Sequence, residues 1–454
     1  MRVLIATPEY PPHHGGGIAR YYGTLAPALA RAGCDVSVVV ASPFTGGFES
    51  YEDAGVKVRF VPNSEIEQRS RDMAHLSAAP LFRRSLAAAR AAHDAASSLG
   101  PFDIVEVTDF ALQFVPFVLA SGAAPVVVQC HGSIGQIAQH EPRRPHLTLD
   151  HALARLTEVL LIGRADAVQT YSSPNANEWR DRLGTTVSVL PPPVECPPAL
   201  ESEGTYAGED AVVVGRIQPW KGPELLCRAM RLIPEKERPR FLWVGRDTDT
   251  ADDGGSLDGW LGRQFPDVWK VSVHPVGQKS RSETDLLLRR ARFVVVPSLW
   301  DVFNFTAAEA MALARLVICS DAAGASGLIG AGETGFTFAS GNAKDLAQCI
   351  QTAAVLDPSV ARSVGDRARS VIQQKLDPDL VARQRLDSYR DLSLRRPPRQ
   401  PPAPWLREFF DGNDLGRVNT AFLDHFGIRE LSQYLGARVS RRVAPKVSRR
   451  RARQ

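Results

Sequence analysis

Short apolar runs of strand length alternate with segments whose apolar residues repeat at helical spacing, and the alternation runs through this chain twice. Such an order builds a parallel sheet, because each crossover helix returns the chain to the same end of the sheet and covers one face. In the first half, Val3 to Thr7 reads as a strand, Ile18 to Ala32 as a helix ending at Gly33, and Asp35 to Ala41 as a second strand. Further strands are expected at Val56 to Val61, Ile104 to Val107, Val126 to Cys130, Ala167 to Thr170 and Val187 to Leu190, with helices at Leu81 to Ser97 and Thr148 to Leu161. In the second half, strands are expected at Ala211 to Val214, Phe241 to Val244, Val271 to His274, Phe293 to Val296 and Val317 to Ser320, with helices at Glu224 to Leu232, Ser282 to Arg290 and Ala307 to Ala314.

Pro191-Pro192-Pro193, Pro197-Pro198 and the polar run Glu201 to Gly204 form a connector between the halves. The expected fold is therefore α/β, two doubly wound parallel-sheet domains facing across a cleft. We place the first domain at 1–193 and the second at 205–375, with a helix over 376–395 returning to the first. Residues 396–454 form a Pro-rich and then basic extension, whose Trp405, Phe409, Phe410, Phe422 and Phe426 suit small docked helices.

At 454 residues the chain is too long for one core. With 44% hydrophobic and 23% charged residues it has the composition of a soluble globular protein. No apolar run approaches the roughly 20 residues that a membrane-spanning helix needs, and the amino terminus lacks the pattern of a secretory signal, so a cytoplasmic location is expected. The six cysteines form no C-x-x-C pair and read as buried free thiols. Eight of the basic residues lie in 438–454, which contains no acid; subtracting 8 from the net charge of +4 leaves −4 for the rest. A mildly acidic body argues against nucleic acid as a partner. The basic tail suits weak peripheral contact with an anionic membrane, or else solvation alone.

Four motifs carry chemistry. In Gly215-Arg216-Ile217-Gln218-Pro219-Trp220-Lys221-Gly222-Pro223 a strand ends, two cations sit five apart and a helix begins, which suits a diphosphate; the alternative is two solvated cations. In Pro297-Ser298-Leu299-Trp300-Asp301-Val302-Phe303-Asn304-Phe305-Thr306-Ala307-Ala308-Glu309, Glu309 can accept ribose hydroxyls, and Asp301 with the amides around Phe303, Asn304 and Phe305 can hold sugar hydroxyls. The alternative there is a capping box, with Thr306 and Glu309 capping their own helix. Gly15-Gly16-Gly17 lets backbone approach a ligand, but Arg20 stands where a dinucleotide fingerprint needs glycine. His131 follows an apolar strand and precedes Gly132, at a strand end where open sheets bind ligands.

In this order and spacing the motifs resemble glycosyltransferase family 4, over about residues 1 to 390, with Ser320-Asp321 and Gly332-Glu333-Thr334-Gly335-Phe336 fitting the same pattern. The resemblance implies the GT-B fold, two Rossmann-like domains, and transfer of a hexose with retention. The donor would be a nucleotide-diphosphate sugar, linked to UDP or GDP, and the acceptor a hydroxyl of a carbohydrate, lipid-linked or small-molecule compound, as in polysaccharide biosynthesis. It implies no cofactor and no metal. Arg216 and Lys221 would hold the diphosphate, Glu309 the ribose, and Asp301 with Phe303, Asn304 and Phe305 the sugar; Val276 joins the donor site, Gly16 and Gly17 close over the phosphates, and His131 lies beside the anomeric carbon. His131, Asp301, Arg216 and Lys221 are the candidate catalytic groups.

Several positions depart from the family pattern: Asp301 stands for a usual Glu, Ala314 for a glycine, Leu316 for a proline and Gly327 for a Glu. Asp247-Thr248-Asp249 is similar to a metal-binding D-x-D, but lies in a glycine-rich loop where solvated acids are expected. A nucleotide-sugar 2-epimerase and a non-catalytic sugar-nucleotide-binding protein are the competing readings.

Overall fold

The structure is a computed structural model that describes residues 1–12, 16–44, 48–120, 122, 124–141, 148–198, 208–252, 254–395, 410, 427–429, 431–433 and 435–436. The polar connector Glu201 to Gly204, the Pro-rich break after Arg395, most of the aromatic extension and the basic run 438–454 lie outside these residues.

The first sheet contains β1 (Arg2–Thr7), β2 (Asp35–Val40), β3 (Tyr51–Asp53), β4 (Val56–Phe60), β5 (Ile104–Thr108), β6 (Val126–Gln129), β7 (Ala167–Thr170) and β8 (Ser188–Val189), in the order β3-β4-β2-β1-β5-β6-β7-β8. Every pairing is parallel except β3 with β4. The second sheet contains β9 (Ala211–Val214), β10 (Phe241–Val244), β11 (Val273–Gly277), β12 (Val294–Val296), β13 (Val317–Ser320) and β14 (Phe336–Phe338), all parallel, in the order β11-β10-β9-β12-β13-β14. The strand order reverses at β1/β5 and at β9/β12, and the carboxyl ends of strands at such points are where open α/β sheets form ligand crevices. Strands such as Asp-Val-Ser-Val-Val-Val are apolar almost throughout because helices bury both faces.

Three expectations change. β3 was unread, because its hairpin to β4 turns through Ala54 and Gly55, both at positive φ, with alanine where Asn or Asp would mark the turn. The strand expected at Val271 begins at Val273 instead, since Lys270 at φ 69° turns the chain first. The final helical stretch is two helices, Pro358–Lys375 and Pro378–Arg395, and the second starts at Pro378, not at 376. Proline suits a first turn, and Asp377 accepts the N–H groups of Asp379 and Leu380 at 3.1 and 3.0 Å.

The Pro378–Arg395 helix packs on the Gly17–Arg31 helix of the first domain. The outgoing and returning chains meet: Val194 N–H donates to Leu376 C=O at 2.8 Å, and Arg369 bonds Pro197 C=O at 2.5 Å. One apolar cluster joins the domains, with Ile18, Tyr21, Tyr22 and Tyr171 against Val302, Phe303, Ala307 and Met311. Phe410 of the extension packs into the other cluster of the first domain. All six cysteines are free thiols. Among the described residues no helix is long and apolar enough to cross a membrane.

Candidate functional site

The first loop of the site begins where β9 ends. Gly222, at φ 77°, is required there, because a Cβ would stand 1.9 Å from Pro297 C=O. Pro223 then opens the Pro223–Leu232 helix. Lys221 lies 4.1 Å from the centre of the Trp220 ring and donates to Asp301 Oδ2 at 2.6 Å, with both side chains less than one-fifth exposed. Arg216 is exposed as a residue, yet desolvation of its guanidinium, and secondarily repulsion by Arg246, lower its pKa, against the attraction of Glu9. Burial pushes the Glu9 carboxyl up, against the pull of Arg216 and the Ala19 N–H.

Asn304 organises the facing loop. It sits at φ 76°, a conformation asparagine tolerates better than most residues. Its Oδ1 accepts the Ala307 N–H at 3.2 Å, capping the Phe305–Ala312 helix, and its Nδ2 donates to Asp301 Oδ2 at 2.9 Å. The capping box that was the alternative reading of Thr306 and Glu309 is not the cap; asparagine takes that role two residues before Thr306, and the helix ends at Ala312 instead of Ala314. Glu309 is thereby left to pair with Arg20 at 2.6 Å, from the first domain, and with Arg281 at 3.2 Å. Burial raises its carboxyl to about 7 while Arg281 pulls it down.

Across the cleft, His131 Nδ1 lies 2.5 Å from the Tyr171 hydroxyl and Nε2 lies 3.3 Å from the Tyr22 hydroxyl. Asp109 holds the loop by accepting the His131 and Gly132 N–H groups at 2.8 and 3.2 Å. Burial, and secondarily Arg385, hold the imidazole well below its usual pKa, so the ring is neutral. Gly17 faces the Phe305 ring, which a Cβ would approach to 3.1 Å, and a Cβ on Gly16 would stand 3.9 Å from Glu9 Oε2. His140 stacks on Trp300 at 4.4 Å, and Ser172 Oγ donates to Val302 C=O at 2.8 Å. Val276 is half-buried on the edge strand β11, against the interdomain cluster.

The structure thus brings Asp301, Asn304 and Lys221 into direct contact, with Glu309 on the helix that follows. His131 approaches from the first domain. Arg20, Arg281, Glu9, Tyr22 and Tyr171 had no assigned role in the sequence; no local pattern marks a partner that lies far away along the chain. Asp247 accepts the Asp258 N–H at 2.9 Å, and among the described residues no group of three side chains could hold a metal ion.

Two parallel-sheet α/β domains with these loops between them make up the GT-B fold. The sequence matches the model described as Glycosyltransferase Family 4 over residues 15–196 and that described as Glycosyl transferases group 1 over residues 208–354, together more than half of the chain. The chain belongs to this group 1, family 4 class of glycosyltransferases. It is 25% identical to the glycogen synthase of Mycobacterium tuberculosis over 424 residues, covering 88% of this chain and 97% of that protein. It is 28% identical to the lipopolysaccharide core mannosyltransferase LpcC of Rhizobium leguminosarum over 253 residues, 52% of this chain and 68% of that one. In fold it is similar to the sucrose-phosphate synthase of Thermosynechococcus elongatus, with TM-score 0.66, 20% identity and coverage of 86% and 98%. It is also similar to Anabaena HepE in complex with UDP-glucose, with TM-score 0.60, 16% identity and coverage of 86% and 100%.

Proposed function

We propose that the protein transfers a hexose from a nucleotide-diphosphate sugar to a hydroxyl of a carbohydrate, lipid-linked or small-molecule acceptor, with retention of anomeric configuration. The observation that carries this reading is the Lys221–Asp301–Asn304 contact, which sets a cation for phosphate against hydroxyl-binding groups for a sugar. The structures of HepE with UDP and with UDP-glucose support the choice of donor class.

On donor binding, Lys221 and Arg216 take diphosphate oxygens, Glu309 accepts the ribose hydroxyls, and Asp301 with Asn304 holds hydroxyls of the hexose. The anomeric carbon–oxygen bond to phosphate breaks as the acceptor oxygen approaches the same face. The departing phosphate oxygen takes the acceptor proton, and Arg216 and Lys221 stabilise the charge it develops. His131, neutral, borders the anomeric carbon. The two cations supply the positive charge the diphosphate requires, so the proposed reaction runs without a metal ion.

The test is incubation with UDP-glucose or GDP-mannose and a panel of sugar acceptors, reading nucleotide release and the anomeric coupling of the product by NMR, with and without EDTA. A product of inverted configuration, a glycosyl-enzyme adduct in the mass spectrum, or loss of rate in EDTA would each overturn the corresponding part of the proposal.

A further inference from the structure

On the face of the first sheet that carries the Gly17–Arg31 helix, three polar side chains stand on adjacent strands where aliphatic residues are the rule: Glu106 on β5, Gln129 on β6 and Gln169 on β7, each at most 1% exposed. The Pro378–Arg395 helix lowers Arg385 onto them, itself fully buried. Its Nη1 lies 3.5 Å from Glu106 Oε2 and donates to Gln169 Oε1. Tyr389 donates to Glu106 Oε2 at 2.5 Å, and Gln169 Nε2 donates to Ser388 Oγ at 2.9 Å. The guanidinium stands 5.6 Å from the Tyr21 ring centre, and that ring lies 5.1 Å from both the His131 and the Tyr171 rings.

A buried ion pair is weak evidence of stabilisation, since apolar packing of equal volume does as well. Here Arg385 Nε and Nη2, Glu106 Oε1 and both amide atoms of Gln129 have no protein partner, which lowers stability further. The cluster therefore calls for a role other than stability, and what it touches is the tyrosine cage of His131.

We propose that Arg385 and Glu106 are positioning residues for His131: docking of the Pro378–Arg395 helix fixes Tyr21 and Tyr171, and through them the orientation of the imidazole at the cleft. The functional consequence rests on the reading of His131 as a group beside the transferred sugar. The titratable groups around the ring are Tyr21 and Tyr22 from the first helix, Tyr171 after β7, Asp109 and Glu106 from β5 and its end, and Arg385 and Tyr389 from the C-terminal helix. A neutral ring that accepts at Nδ1 from Tyr171 carries its proton on Nε2, toward Tyr22.

Long-range proton–nitrogen NMR of protein labelled with 15N-histidine reads that tautomer directly, with the His131 signal assigned from His131→Asn. The wild type is expected to hold a single neutral Nε2–H form from pH 8 down to pH 5.5. Combining Arg385→Met with Glu106→Gln removes both charges at similar volume; the ring then shows mixed tautomers or a raised titration midpoint. Arg385→Lys retains the charge and the wild-type tautomer. An unchanged tautomer and titration in the double variant would overturn the proposal. Nucleotide release by His131→Asn reads the site assignment separately: undiminished release removes His131 from the reaction and leaves the NMR result standing.

Discussion

Ala314 offers a quantitative test of the backbone geometry at the end of the Phe305–Ala312 helix. The Phe305–Ala312 helix ends with the Ala314 N–H on Met311 C=O and the Arg315 N–H on Ala310 C=O, both at 2.9 Å, the paired bonds of a Schellman cap. Ala314 occupies the left-handed position of that cap at φ 56°, a position that favours glycine. A left-handed L-residue costs about 1–2 kcal/mol, whereas glycine adds about 0.4–1 kcal/mol of unfolded-chain entropy. Ala314→Gly is therefore expected to stabilise the protein by about 0.5–1 kcal/mol. For a domain of this size that is a rise of roughly 1–4 °C in melting temperature, measured by calorimetry and by a urea midpoint that moves at constant slope. Ala314→Val should move both in the opposite direction, because a β-branched residue resists this conformation most. A lower melting temperature for Ala314→Gly, or equal values for all three proteins, would refute the assigned cap.

Arg216→Gln should weaken UDP binding roughly 10- to 100-fold, the loss of a charged hydrogen-bond donor worth about 1.5–3 kcal/mol; an unchanged dissociation constant by titration calorimetry would remove Arg216 from the phosphate site. Burial raises Glu158 to about 8 and Asp109 to about 7, so between the unfolded values near about 4 and these folded values the native state keeps protons that the unfolded chain has released. Their contribution to stability is complete below the unfolded values and is lost as pH rises through 7 to 8. Because a glutamine can still meet Ser133 Oγ and the Gly135 N–H, Glu158→Gln should flatten the fall in urea midpoint from pH 5 to 8.5, and an identical pH slope in the two proteins would contradict it.

The strands were legible where both faces are covered, because burial on two sides demands continuous apolar runs such as Val126 to Gln129. Short helices were not: Phe114–Leu119 is apolar all round and shows no periodicity, and Ile134–His140 spans too few turns to display one. Asp301, Asn304 and Glu309 share one loop and helix, so their spacing announces them. Arg20, Arg281 and Arg385 act on groups distant in sequence, and an arginine on an ordinary helix face looks the same whether it meets solvent or a buried carboxylate. The alternative capping box of Thr306 and Glu309 failed for a related reason, since asparagine at positive φ can shift a cap in a way the order of residues does not disclose.

The bond between Val194 and Leu376 has a mechanical consequence. The described parts of the two passages of chain between the domains are neighbours and not independent tethers, so relative motion is expected to centre on this crossing, as in a door hung on one pin. Contacts between the domains such as His140 with Trp300 and Ser172 with Val302 are then expected to part in one swing. Opening of the cleft is then expected as a concerted event, and strain introduced at Val194 or Leu376 would be felt at both of those contacts together.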